Sequence, residues 1–150
     1  MKALTIKQPW ATLIMRHGKD VENRTWPTKF RGRIAIHSSS KHSWAEFESA
    51  KSMIQNHCFG IDPDYLKGKV SHLGAILGTV EIYDCVTSSP SPWSWGPYSF
   101  LLRDVRVLKS PIFCRGKLGL WTISPAIERV INKEIGDKQP GLQEKKARTA

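Results

Sequence analysis

Residues 18–26 read GKDVENRTW, which places a glycine, a lysine, a glutamate and an arginine between an amphipathic segment and an arginine-rich turn. If Val21 to Arg24 is extended, its side chains alternate, so Glu22 and Arg24 share one face. Lys19 lies at the turn just before and can reach the same face. Charge clusters of this kind are also common on solvated edge strands. The stretch is therefore either a functional site or a solvated charge cluster, and the elements around it decide between the two.

Local patterns predict the elements on either side of this stretch. Residues 2–7 read as a strand, and a helix follows from about Pro9 to His17, because proline suits a first helical turn and Gly18 a left-handed stop. The other predicted elements are strands over residues 33–38, 73–86, 98–109 and 117–123, a helix from a Ser43–Glu46 capping box to about Asn56, and a helix that begins at Pro125.

About six strands with three interspersed helices predict an α+β fold, a small and strongly curved sheet or barrel with flanking helices. The chain shows no internal repeat and no domain boundary, so residues 1–135 are predicted to form one domain. From Gly136 onwards the sequence GDKQPGLQEKKARTA has no periodicity. We expect residues 136–150 to be a flexible basic tail.

The charge balance suggests a polyanionic partner. The chain has 23 Lys and Arg against 13 Asp and Glu, a formal net charge of +10, and the positive charge is concentrated in its first and last thirds. Such a field attracts nucleic acid, although a basic surface can also serve solubility alone. No apolar run approaches the length of a membrane span, and MKALTIKQPW lacks a signal-peptide core. A cytoplasmic protein without a membrane partner is expected.

The sequence lacks the motifs that indicate several common kinds of catalytic or metal site. The three cysteines are far apart and form no CxxC pair, so neither a disulfide framework nor a zinc site is suggested. A Walker loop, GxGxxG, HExxH and GxSxG are also absent. We therefore predict no cofactor and no metal.

Four motifs carry a family resemblance. They are IKQPWA over residues 6–11, GKxxExR followed by Thr25-Trp26, RGRIAIHSS over residues 31–39, and GxxGLW over residues 116–121. In this order they resemble the ASCH domain, a member of the PUA-like superfamily, across roughly residues 2–123. The resemblance implies a small PUA-like β-barrel of about six strands, a cleft beside the first helix where the GKxxExR residues gather, and a link to RNA.

The resemblance also implies candidate catalytic residues. ASCH domains are generally proposed to bind RNA, some members resemble ribonucleases, and one bacterial branch hydrolyses the acetyl amide of N4-acetylcytidine with a lysine, a threonine and a glutamate. Lys19 matches that lysine, and Glu81 in TVEI matches that glutamate. The threonine position is occupied by Glu22, and Thr25 lies on the opposite face of an extended segment. The resemblance therefore does not supply a threonine nucleophile.

The first functional prediction is a cleft that binds RNA or a modified nucleoside. A tryptophan stacks on the base, polar groups read its edge, and basic side chains hold phosphates. Trp10 can equally belong to the core, and His37 can be a structural histidine. The predicted binding residues are Lys7, Gln8, Trp10, Arg24, Trp26, Lys29, Arg31, Arg33, His37 and Ser38.

The alternative prediction is a hydrolase that acts on RNA or an acylated nucleoside, with Lys19, Glu22 and Glu81 in the active site. Either glutamate can activate water, while Lys19 and Arg24 stabilise the developing oxyanion. Two carboxylates near one lysine favour its charged form. Glu81 lies among apolar neighbours, so it is either solvated on an edge strand or paired with Lys19 or Arg24.

Two further questions stay open at this level. Trp93 and Trp95 lie in a Pro/Ser-rich loop, where they can form a lid or stacking platform or pack over the end of a barrel. A protein-binding adaptor is a third functional class, recognisable by an exposed apolar patch. We expect a monomer.

Overall fold

The structure is a computed structural model that describes residues 1–57, 59–64, 66 and 72–136. Within these residues the chain forms six strands and three α-helices. In order they are β1 (Lys2–Ile6), α1 (Trp10–Arg16), β2 (Val21–Arg24), β3 (Gly32–Ser38), α2 (Trp44–His57), β4 (Ala75–Val86), β5 (Tyr98–Phe113), β6 (Leu120–Thr122) and α3 (Pro125–Ile131), which continues as a π-helical turn (Asn132–Gly136).

The six strands form one curled mixed sheet in the order β2-β5-β4-β3-β1-β6. Strands β1 and β3 pair in parallel, and all other neighbours pair in an antiparallel manner. The register between β4 and β5 shifts at three places, including the step from Ile76 to Gly78. Such irregularities bend strands and increase sheet curvature. The predicted α+β fold, a small and strongly curved sheet with flanking helices, is confirmed, and the sheet closes only as far as a half-barrel.

Side-chain alternation along β1 and β3 divides the core between the two faces of the sheet. Ile34 and Ile36 pack with α1 and α2 on the inner face. Ala35 packs with Trp121 and the apolar residues of α3 on the outer face. The alternation that the sequence predicts for residues 33–38 therefore determines which helices each face contacts.

Helix α1 is more deeply buried than its sequence pattern predicts. We expected one apolar face, yet every residue from Trp10 to Met15 is buried, including Ala11 and Thr12. The helix lies inside the curve of the sheet and contacts β3, β4 and β5. An element enclosed on several sides buries its whole circumference, which a one-face pattern does not reveal.

The end of the described chain covers the outer face. Ser124 caps α3 by accepting a hydrogen bond from the backbone of Ile127, and Pro125 occupies the first turn, as predicted. The predicted tail lies outside the described residues, apart from Gly136. In the portion of the chain that the structure describes, no helix combines the length and apolar character needed to cross a membrane.

Candidate functional site

A pocket of about 970 Å³ opens between α1, β2 and the face of α2. The loop before β5 contributes Trp95 to one wall, and the turn before β6 contributes Lys117 to another. The other lining residues are Thr5, Ile6, Lys7, Trp10, Lys19, Glu22, Asn23, Arg24, Ser39, Glu46, Glu48, Ser49, Ser52, Met53, Asn56, His57, Leu118 and Gly119. Much of the GKxxExR element therefore lies at this pocket.

Lys19 is almost completely enclosed at the pocket, with 2% of its surface exposed. Its ammonium group donates to the backbone carbonyl of Val21 and lies 3.4 Å from Glu22 Oε2. The same nitrogen is 5.6 Å from the ring centroid of Trp10 and 5.4 Å from that of Trp95, within the range of cation–π attraction. The ammonium group therefore meets one carboxylate and two aromatic rings.

Glu22 connects Lys19 to Arg24. Its other carboxylate oxygen, Oε1, is 3.2 Å from Arg24 Nε, and the Glu22 side chain is only 9% exposed. Arg24 Nη2 also donates to the carbonyl of Thr5 at 2.8 Å, which fastens β2 against β1. Glu22 and Arg24 share one face of an extended strand, and the preceding lysine swings onto it. The result is a buried row of alternating charge.

Burial lowers the pKa of the Lys19 ammonium group below its usual value, because a charged group loses hydration in this enclosed position. The carboxylate of Glu22 acts in the opposite direction. We expected Glu22 and Glu81 together to keep this lysine charged. Of these two, only Glu22 lies beside it, and desolvation outweighs the opposing effects of Glu22 and Asp20.

Glu81 lies outside the pocket. Its carboxylate accepts two hydrogen bonds from Arg103, at 2.9 and 3.1 Å, and these bonds lower its pKa. Of the two alternatives for Glu81, a pairing with Lys19 or Arg24 is therefore wrong. Glu81 and Arg103 are opposite each other in the β4–β5 pair, and this position keeps both side chains away from the pocket.

Helix α2 supplies a polar wall that the sequence analysis missed. Ser43 caps the helix by accepting from the backbone of Glu46, as the capping box predicts. The Glu46 carboxylate, however, does not reach back to the cap: it accepts a 2.7 Å hydrogen bond from Trp10 Nε1 and lies 3.5 Å from Lys7 Nζ. A detectable signal was the recurrence of Ser49, Ser52 and Asn56 at helical spacing.

The two tryptophans of the Pro/Ser-rich loop take different roles. Trp93 is 3% exposed and stacks on Phe59 at 4.1 Å between ring centroids. Trp95 is 48% exposed and stands over the pocket, 5.3 Å from the ring of Trp10. The two readings left open for this loop thus apply to one tryptophan each: core packing for Trp93, and a wall of the pocket for Trp95.

Gln8, His37 and Ser38 are buried, and their polar atoms make bonds within the fold. Gln8 donates to the carbonyl of His72 and accepts from Thr12 in α1. Ser38 Oγ donates to the carbonyl of His72 and accepts from the backbone of Ala75. None of the three lines the pocket, so their predicted contact with a ligand is not supported by their positions.

The His37 ring holds the turn before β6. Nδ1 is 3.2 Å from Thr5 Oγ1, and Nε2 is 2.8 Å from the carbonyl of Cys114. Gly116 packs so closely on this ring that an added Cβ would lie 2.6 Å from His37 Cε1. His37 therefore supports the segment that carries Lys117 to the pocket.

The remaining predicted contacts lie elsewhere. Arg31 donates to the carbonyls of Thr28 and Phe30 and lies 3.3 Å from Asp84. Arg33 bonds Thr79 and Asp104. Lys29 is exposed in the same turn, and Trp26 packs edge-on against Phe100. These four residues do not line the pocket. Five residues of the predicted set do converge at the pocket: Lys7, Trp10, Lys19, Glu22 and Arg24.

His37 is expected to make stability depend on pH. Burial lowers its pKa below the ordinary value of 6.5. Below that value the unfolded chain binds a proton that the folded chain resists, so the free energy of unfolding should fall as the pH drops from 6.5 through the folded-state pKa. Urea unfolding between pH 5 and 7.5 checks this. His17 has a pKa shifted in the same direction, so the relevant quantity is the difference between wild type and His37→Asn. A difference that does not change with pH would contradict the assignment.

Comparison with known proteins adds a family and a fold. A family model described as ASCH domain matches residues 4–96. Activating signal cointegrator 1 of Homo sapiens is 29% identical over 142 residues, which cover 88% of this chain and 24% of that protein. The Mus musculus protein of the same name is 28% identical with the same coverage. This chain thus spans about a quarter of the length of these relatives.

A solved structure supports the same architecture. The crystal structure of ASCH from Zymomonas mobilis aligns with a TM-score of 0.50 and 13% sequence identity, and the alignment covers 85% of this chain and 90% of that chain. At this identity the similarity concerns the fold alone.

Proposed function

Since this chain belongs to the ASCH domain family, we propose that its main pocket binds one unpaired base, either of single-stranded RNA or of a modified nucleoside. The observation that carries this proposal is the enclosed Lys19 ammonium group, with the rings of Trp10 and Trp95 within 5.6 Å. Aromatic faces suit a planar base, and a fixed row of donors and acceptors suits its edge.

The pocket favours recognition of a base over a grip on phosphates. Its charged lining residues nearly balance: Lys7, Lys19, Arg24 and Lys117 against Glu22, Glu46 and Glu48. Arg31 and Arg33, which were expected to hold phosphates, already bind Asp84 and Asp104. Among the basic residues that line the pocket, Lys7 and Lys117 are exposed to solvent and can contact phosphates. Each phosphate that they contact would contribute about −0.7 to the slope of log affinity against log salt on single strands.

The direct test is a binding titration of the purified chain with cytidine, N4-acetylcytidine and a short unstructured RNA oligomer at several salt concentrations. We expect the nucleoside to bind with little salt dependence and the oligomer to bind with a shallow slope. Binding of the oligomer alone, with a steep slope that Arg31→Ala and Arg33→Ala both reduce, would contradict a base pocket. That outcome would indicate a surface that recognises the phosphate backbone.

Trp95 is expected to contribute stacking energy. Removing an aromatic ring from a single-strand site typically costs about 1–3 kcal/mol per base, so Trp95→Ala should weaken binding about 5- to 150-fold. Trp44 is the matched control, because it is 71% exposed and does not line the pocket. Trp44→Ala should leave affinity unchanged. Equal losses in the two variants would show that the oligomer contacts exposed tryptophans non-specifically.

A second candidate function is hydrolysis of an acylated nucleoside. It is favoured by the carboxylate of Glu22, which lies 3.4 Å from the Lys19 nitrogen at the pocket. In this scheme Glu22 accepts a proton from water as the water oxygen bonds to the amide carbonyl carbon, and Lys19 and Arg24 stabilise the oxyanion. As the oxyanion collapses, the amide C–N bond breaks, Glu22 returns the proton to the N4 nitrogen of cytidine, and acetate leaves.

Mass spectrometry of N4-acetylcytidine incubated with the chain tests this second candidate. Conversion to cytidine that Lys19→Met and Glu22→Gln abolish while tryptophan fluorescence shows both variants folded, and that Glu81→Gln retains, would establish the activity in this pocket. The Glu81 variant is the informative control, because the family resemblance names that residue while the structure places it beside Arg103. No conversion by the wild type would remove this candidate and leave base binding.

A further inference from the structure

The loop that carries Trp95 is fastened to β2 by one side chain. Asn23 Nδ2 donates to the carbonyl of Trp93 at 2.9 Å. Asn23 Oδ1 accepts from the backbone N–H groups of Trp95 and Gly96, at 3.0 Å each. The carboxamide therefore bonds with both of its ends to the backbone on either side of Ser94. Three hydrogen bonds from one side chain define the position of a short segment closely.

We propose that Asn23 is a positioning residue of the pocket, which holds Trp95 as the wall against which the ring of a ligand packs. This role rests on the proposed function, and it assigns to a residue of β2 control over the affinity for ring-containing ligands. Asn23 lies between Glu22 and Arg24 in the sequence. The same strand thus supplies two members of the charged row, Glu22 and Arg24, and sets the distance of the aromatic wall from that row.

Gly96 fits this arrangement. A Cβ added at residue 96 would lie 2.8 Å from Asn23 Cβ, with backbone and side-chain atoms of Asn23 at 3.4 Å. Real Cβ atoms do not come so close to a neighbouring carbon, so a side chain here would push the loop away from β2. Glycine at this position permits the approach on which the three hydrogen bonds depend.

The loop also has anchors that do not involve Asn23. Trp93 is buried against Phe59, and Ser91 Oγ donates to Asp20 Oδ1 at 2.6 Å. Trp95, by contrast, is half-exposed, and within the part of the chain that the structure describes its ring contacts are with Trp10 and the Lys19 nitrogen. Loss of the Asn23 carboxamide should therefore displace Trp95 while leaving the loop attached to the core.

A double-mutant cycle in binding separates positioning from general support. Asn23→Ala should weaken binding of cytidine and of the short RNA oligomer about 5- to 150-fold, as Trp95→Ala does, because both remove the same wall. In the Trp95→Ala background Asn23→Ala should cost nothing further, since coupled residues are not additive. Ser91→Ala removes two hydrogen bonds of the same loop, one to Asp20 and one from the backbone of Trp93, and should not affect affinity. Independent, additive losses, or unchanged binding in Asn23→Ala, would overturn the proposal.

A second measurement decides the same question without a ligand. Acrylamide quenching of tryptophan fluorescence should increase in Asn23→Ala. If that variant folds poorly, the same increase should be measured in Gly96→Ala. The increase should vanish when Trp95 is replaced by Phe, and Ser91→Ala should resemble the wild type. Unchanged quenching in the Asn23 and Gly96 variants would refute the positioning role. If the wild type binds neither probe while quenching behaves as expected, the proposed function fails and the positioning of Trp95 stands.

Discussion

Replacement of Glu22 by Gln is expected to lower the free energy of unfolding by about 3–5 kcal/mol, the cost of removing one partner from a buried ion pair. Lys19 is 2% exposed, and Arg24 lies on the other side of the same carboxylate. Without the carboxylate, two cationic groups remain close together in a region of low hydration. Urea unfolding followed by tryptophan fluorescence measures the change.

A matched control exists in the same sheet. Glu81 also pairs with a basic residue, but its partner Arg103 is solvated and its own side chain is 32% exposed. Exposed ion pairs contribute little to stability, so Glu81→Gln should leave the free energy of unfolding nearly unchanged. A comparable loss in both variants would show that burial is not what makes the Glu22 pair important.

Two further observations test the same explanation. Adding Lys19→Met to Glu22→Gln should recover part of the lost stability, because the unpaired buried charge is then removed. In Glu22→Gln alone, the free energy of unfolding should rise as pH increases towards 10.5, the ordinary value for lysine. In that range the unfolded chain keeps the Lys19 proton while the folded chain has released it. A Lys19→Met addition that destabilises the chain further would contradict this explanation.

Gly78→Ala should destabilise the chain by about 3 kcal/mol, at the upper end of what overpacking a core usually costs. A Cβ at residue 78 would overlap the carbonyl oxygen of Arg106 and lie 2.8 Å from Met15 Sδ. The first obstacle is backbone of β5, which cannot rotate aside. The second belongs to α1, the enclosed helix that leads into Lys19. The same unfolding measurement in urea determines the cost.

Gly18→Ala provides the comparison for this substitution. Gly18 has a φ of 72°, and an added Cβ would meet nothing within 4 Å. Its replacement should therefore cost only the strain of a left-handed residue, about 1–2 kcal/mol. A smaller loss for Gly78→Ala than for Gly18→Ala would mean that α1 and β5 can separate, so that the curled sheet is not closely packed on α1.

The sequence predicted the local elements because their signals are local. Proline near the start of α1, Gly18 after it, the Ser43 cap of α2 and the alternation of residues 33–38 all act between near neighbours. Each strand and helix described by the structure therefore lies within a few residues of its predicted bounds. The charged row of Lys19, Glu22 and Arg24 followed for the same reason, since it belongs to one turn and one strand.

Contacts between distant segments could not be predicted from local sequence signals. Glu81 was assigned by family resemblance to the site of Lys19, but the register of β4 against β5 places it beside Arg103. Gln8, His37 and Ser38 have polar side chains that could contact a ligand. In the fold these side chains are already hydrogen-bonded to backbone carbonyls of other segments. Polar residues in a sequence do not show which of their hydrogen bonds the fold already satisfies.

By itself, the sequence determined the six strands, the three helices, the curved α+β architecture and the charged row after α1, because periodicity, caps and turn residues fix these over short distances. Only the tertiary structure decided that Trp95 and the polar face of α2 complete the pocket, and that Asn23 binds the loop of Trp95. The physical reason is that these partners lie dozens of residues apart. Their meeting depends on sheet curvature and strand register, which arise when the whole core packs.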